Sequence, residues 1–98
     1  GLRILGATLT PFAGALPDTP LDDYYAADKD ALRQQLNAWL RTDSPFDAVI
    51  DLDAALRDPV DPSRMAAAYD SGDHLHPGDA GNRAMAEAVD LEQILMHP

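Results

Sequence analysis

Two short apolar runs on either side of one helical stripe constrain this fold more than any other feature. Leu2 to Leu9 is apolar and closed by Thr10-Pro11. Phe46 to Leu52 contains Val49 and Ile50, with Asp47 and Asp51 as its only charges. Runs of this length read as buried strands, although periodicity alone does not separate so short a run from a helix. Between them, Gly14, Pro17 and Pro20 mark residues 12–23 as a loop. From about Asp28, the residues Leu32, Leu36, Trp39 and Leu40 fall at i, i+4, i+7 and i+8. That apolar stripe predicts a helix facing the core. Asp28 is the expected N-cap, and Arg41 suits the negative end of the macrodipole. Strand, helix, strand in this order is a βαβ crossover with parallel strands.

Beyond the second run, Asp58-Pro59-Val60-Asp61-Pro62 reads as a turn cluster. Ser63 to Tyr69 reads as a short helix capped by Ser63, and Ser71-Gly72 as another turn. A last helix is expected to start at Pro77 or Gly78. Ala80, Ala84, Met85, Ala88 and Val89 form its apolar face, continued by Leu91 and Leu95. The expected class is α/β. Two parallel strands are too few to stand alone, because parallel sheets are normally covered on both faces and built from several strands. The missing strands are expected from sequence absent here, a second chain or a swapped copy.

Composition narrows the partners. Seven basic residues against seventeen acidic ones give a net charge of -10, which repels nucleic acid and anionic membrane surfaces. No apolar run reaches the roughly 20 residues of a membrane span. The absence of cysteine excludes a disulfide framework, a thiolate metal site and a cysteine nucleophile. No signal peptide is visible; the opening Leu2-Arg3-Ile4-Leu5 reads as the middle of a fold, which leaves room for a targeting segment upstream.

The chemistry concentrates in Asp73-His74-Leu75-His76-Pro77-Gly78-Asp79, on the loop entering the last helix. A general base must be held in one orientation and one tautomer. A carboxylate that accepts from Nδ1–H does this and stabilises the imidazolium formed during reaction. Asp73 and His76 are separated by two residues, so a turn brings them together. The alternative use is a metal site, with Asp73, His74, His76 and Asp79 as nitrogen and oxygen ligands. His97 is distant from that cluster. No nucleophile accompanies the pair: Ser44 precedes Pro45, Ser63 reads as a cap and Ser71 as a turn residue.

The stretch Tyr69-Asp70-Ser71-Gly72-Asp73-His74-Leu75-His76-Pro77-Gly78-Asp79-Ala80-Gly81-Asn82-Arg83-Ala84-Met85-Ala86 resembles the final block of the SGNH hydrolases, also called GDSL esterases and lipases. Gly6-Ala7-Thr8-Leu9-Thr10-Pro11-Phe12 resembles a late strand and loop of bacterial members. Asn37-Ala38-Trp39-Leu40-Arg41 resembles the following helix, and Phe46 to Ala55 the strand leading to the final block. The resemblance implies a flavodoxin-like α/β sandwich, of which residues 1–98 are the C-terminal βαβ unit and final helix of a single domain. It implies Asp73 as the triad aspartate and His76 as the triad histidine, with His74 at a variable position between them. The implied activity is hydrolysis of a small carboxylic ester, with no cofactor. The family's Gly-Asp-Ser nucleophile block and the glycine and asparagine of its oxyanion hole are not in this sequence. Asn37 and Asn82 both fall in helices outside that motif. A missing N-terminal segment or a second chain is therefore the expected partner. Phe12, Leu75 and the Tyr24-Tyr25 pair are candidates for an acyl pocket, with simple packing as the alternative. The resemblance admits a secreted protein, while the sequence itself identifies no compartment. Against the hydrolase stand two other readings: a non-catalytic, partner-binding fragment, and a metal-dependent hydrolase using the Asp/His cluster.

Overall fold

The computed structural model describes residues 2–95. Strand β1 (Leu5–Ala7) and strand β2 (Ala48–Ile50) flank helix α1 (Ala27–Thr42). A short helix α2 (Leu52–Leu56), a 3₁₀ turn (Ala67–Tyr69), helix α3 (Asp79–Glu87) and helix α4 (Leu91–Leu95) follow. The strands are parallel, with Leu5 opposite Ala48, Gly6 opposite Val49 and Ala7 opposite Ile50. The described residues thus form a small mixed α/β structure with a two-stranded parallel sheet and four helices. Among the described residues no helix is long and apolar enough to cross a membrane.

Both strands are shorter than their apolar runs, and side chains explain where each stops. Past β1, the Leu9 N–H donates to Asn37 Oδ1 at 2.8 Å, and the Leu9 carbonyl accepts from Asn37 Nδ2 at 2.9 Å. Leu9 therefore bonds to α1 and not to a strand. Past β2, the Asp51 carboxylate accepts from Ala54 N–H at 3.0 Å and caps α2, turning Leu52 into a helix. The first run is also not buried as a whole: Leu2, Ile4 and Leu9 are exposed, because each strand has only one strand neighbour. Gly6 lets the Phe46 ring pack directly on β1. A β-carbon there would lie 2.5 Å from the Phe46 ring.

Helix α1 inverts the expected amphipathicity. Leu32, Leu36 and Trp39 are 64%, 42% and 43% exposed, and of the predicted stripe only Leu40 is buried. The inward face is Asp30, Arg33, Asn37 and Leu40. Arg33, 4% exposed, donates to Asp53 Oδ1 at 2.8 Å, to Asp30 Oδ1 at 3.0 Å, and to the carbonyls of Leu9 and Pro62 at 3.2 and 3.3 Å. Polar groups face inward here because each has partners, which removes the cost of burying them. Nor is Asp28 the N-cap. The helix begins two residues earlier, at Ala27, after Ala26, which makes no side-chain cap. Asp28 instead lies in the first turn, where its charge suits the dipole.

Arg41 does more than sit at a helix end. It donates to both oxygens of Asp51 at 2.8 and 2.9 Å and to Asp53 at 2.8 Å. This pairing with Asp51 raises the guanidinium above its ordinary range and, against partial burial, holds the Asp51 carboxyl well below its own. Thr8 Oγ1 closes the cluster, donating to Asp51 at 2.9 Å and accepting from Asp53 N–H at 2.9 Å. The apolar core beside it is small: Ala13, Ala15, Leu40, Leu56 and Met65, with Pro11 fully enclosed.

Two further boundaries differ from expectation. Ser63 does not cap a helix. Its hydroxyl donates to Asp61 at 2.6 Å, and the 3₁₀ turn starts only at Ala67. The last helix breaks after Glu87 because Asp90 caps a new one, accepting from Glu92 N–H at 3.0 Å. Leu91 and Leu95 are consequently exposed and do not extend the α3 face.

Replacing Arg33 by Met should leave Asp30 and Asp53 facing each other without their shared cation. The expected cost is about 3–5 kcal/mol, as for other half-broken buried ion pairs. A urea titration of Arg33→Met against the parent chain measures it.

Candidate active site

The 3₁₀ turn delivers the chain into a closed loop. Asp70 and Pro77 form an antiparallel bridge across its base. Ser71 N–H donates to the His76 carbonyl at 3.1 Å, and Gly78 N–H to the Tyr69 carbonyl at 2.8 Å. Gly72 at φ 117° and His74 at φ 59° let the chain double back within this short span. Helix α3 starts at Asp79, within a residue of the expected position, with Gly78 before it. Gly81 seats that helix against the 3₁₀ turn: a β-carbon would lie 2.4 Å from the Tyr69 carbonyl oxygen.

Asp73 and His76 meet as the sequence predicts. His76 Nδ1 lies 2.6 Å from Asp73 Oδ2. The other carboxylate oxygen accepts from His76 N–H at 2.7 Å, Leu75 N–H at 2.9 Å and Ser71 Oγ at 3.2 Å. One oxygen thus shapes the loop while the other orients the ring. The His76 ring foremost, then these N–H groups, hold the Asp73 carboxyl well below the usual carboxylate range. The His76 side chain is 71% exposed. Among the described residues nothing bonds its Nε2, the nitrogen a general base would use.

The sequence reading missed a second pair. Asp70 Oδ2 contacts His74 Nδ1, while Asp70 Oδ1 accepts from Gly72 N–H at 2.8 Å and His74 N–H at 3.0 Å. Burial pushes the Asp70 carboxyl up, but the His74 ring and the two N–H groups outweigh it and leave the carboxyl below its ordinary value. The spacing of Asp70 and His74 at i, i+4 was the available signal.

The metal arrangement is not assembled here: His74 and His76 turn their Nδ1 atoms to different aspartates, Asp70 and Asp73. Among the described residues no group of three or more histidine, aspartate or glutamate side chains could hold a metal ion. His97 lies outside the described residues. Among the described residues none of the three serines hydrogen-bonds a histidine ring. Ser44 donates to the Leu40 carbonyl at 2.8 Å, Ser63 to Asp61 and Ser71 to Asp73. Asn37 and Asn82 lie in α1 and α3 as expected, and Asn37 holds Leu9.

A pocket of about 380 Å³ opens beside the loop. Leu75, set between the two histidines, lines it together with Phe12, Tyr24, Leu9, Leu32 and Leu36, and Thr10, Lys29 and Arg33 add polar groups. Tyr25 is not part of the wall. It stacks edge-on against Phe12 at 5.0 Å, as Tyr24 does at 5.6 Å. The pocket loop is stapled to the loop of Asp73 and His76, since Leu16 N–H donates to the Asp73 carbonyl at 2.7 Å.

The family model described as GDSL-like lipase/acylhydrolase matches residues 1–89. A search of curated proteins found no match.

A carboxyl depressed in the fold contributes stability above its unfolded value, and that contribution fades as pH falls through the folded one. Carbon-13 NMR should therefore show Asp73 still ionised below about pH 3.9, the ordinary aspartate value. Acidifying through its titration should expose the His76 N–H to exchange. An Asp73 that titrates at the ordinary value would contradict the bonding described.

Proposed function

Because this chain belongs to the GDSL-like lipase/acylhydrolase family, we propose that it supplies the base and orienting acid of a serine esterase or lipase. The carrying observation is the 2.6 Å contact of His76 Nδ1 with Asp73. A serine hydroxyl attacks the acyl carbon of a carboxylic ester, and His76 Nε2 takes its proton. The tetrahedral intermediate collapses, and His76 passes that proton to the departing alcohol. Water, activated by the same nitrogen, then releases the acid from the acyl-serine. Asp73 keeps the ring in the Nδ1–H tautomer and stabilises its charged form between these transfers.

The nucleophile and the oxyanion donors come from outside this sequence, since the three serines of the chain are committed elsewhere. Residues 1–98 are on this reading the C-terminal part of one flavodoxin-like sandwich. The remaining strands and a Gly-Asp-Ser loop come from an upstream segment or a second chain. Among the described residues the outer edges of β1 and β2 are unpaired, which supports that reading. The pocket walled by Phe12, Tyr24 and Leu75 is the acyl site. A second reading, a partner-binding fragment without catalysis, draws on those same unpaired edges.

A fluorophosphonate probe separates the two readings. Labelling should appear only when a Gly-Asp-Ser-bearing segment completes the chain. Labelling of this chain alone would place the nucleophile within it. In the completed enzyme His76→Ala should abolish ester turnover with folding intact. Asp73→Asn should lower kcat by on the order of 10⁴, as in well-studied triads. Turnover within about tenfold of the parent would show that the base lies elsewhere.

A further inference from the structure

The proposed hydrolysis leaves one acid–imidazole pair unused, just upstream of the first. A single carboxylate, Asp70, holds both the main-chain N–H and the ring of His74. Its side chain is only 9% exposed. His74 itself stands at φ 59°, a left-handed conformation that a β-carbon disfavours. It immediately follows Asp73, so its backbone angles decide whether the chain turns back on that residue. In an extended conformation at His74, the N–H groups of Leu75 and His76 would be carried away from Asp73 Oδ1. The His74 ring also lies close to Gly14, where a β-carbon would be 3.7 Å from a ring carbon. The pair therefore touches the loop that supplies Phe12 to the pocket.

We infer that Asp70 is a positioning residue: through His74 it holds the left-handed turn that brings Asp73 and His76 together. The significance of this rests on Asp73 and His76 being the acid–base half of a hydrolase, but its test does not require hydrolysis. Each aspartate divides its work in the same way, one oxygen on backbone N–H groups and one on a ring. The upstream pair fixes the backbone on which the downstream pair is built.

Nitrogen-15 NMR of the chain tests this directly. The ring shifts and the low-field Nδ1–H proton of His76 report whether Asp73 holds it, and Asp73→Asn defines their loss. Asp70→Asn should lose that signal and speed exchange of the His76 main-chain N–H by about tenfold or more, with the far-UV spectrum unchanged. His74→Asn should keep both features, because asparagine tolerates the left-handed region and retains a donor. His74→Val should lose both, because a β-branched residue does not adopt that conformation. A His76 signature that survives Asp70→Asn in a folded chain overturns the inference. If Asp70→Asn does not fold, the two His74 variants decide, and equal behaviour overturns it. Failure of the fluorophosphonate experiment would instead sink the hydrolase reading and leave these outcomes untouched.

Discussion

Everything in this fold hangs on the grip that α1 takes on the end of β1. Leu9 has no strand partner for its N–H and C=O, and Asn37 satisfies both, with Arg33 reinforcing the carbonyl. An unpaired buried backbone group costs about as much as a lost hydrogen bond. The side chain that supplies the partner therefore decides where the strand stops and how the helix lies. Arg33 then carries the connection onward to Asp53 and Pro62. This guanidinium joins backbone bonds, Ala13 N–H to the Ser63 carbonyl and Ala66 N–H to the Leu56 carbonyl, in anchoring the segment that holds Met65.

This arrangement explains why the polar side of α1 is the inner side. A leucine stripe packs wherever an apolar surface is offered, but a buried cation requires specific partners at fixed distances. Asp30 and Asp53 provide them, and Arg41 and Arg57 balance the second oxygen of Asp53. Such a cluster adds little net stability over an apolar core, yet breaking it is expensive. Its effect is to select one orientation of the helix. The stripe left outside, Leu32 and Leu36, becomes pocket wall beside Leu75.

Much of the fold was legible in the sequence, and the limits have physical causes. The βαβ order and parallel pairing followed from apolar runs and turn residues, which report local structure. The facing of α1 did not, because hydrophobic periodicity assumes that polar residues find water more favourable than each other. Strand ends were overestimated because they are set by long-range side-chain bonds from Asn37 and by capping from Asp51. The Asp73–His76 pair was readable because two intervening residues confine it. Asp70–His74 has comparable spacing, but its importance depends on a left-handed dihedral that no residue pattern announces for histidine.

The loop of the two Asp–His pairs has a consequence for assembly. Each bond that orients either imidazole spans four residues or fewer. Closing so short a segment costs little chain entropy and needs no distant strand. The Asp–His loop is thus encoded largely by its own local bonds, and under the proposed hydrolysis its alignment with an attacking hydroxyl is left to tertiary docking. Errors in that docking would silence the chemistry and leave the loop itself unperturbed.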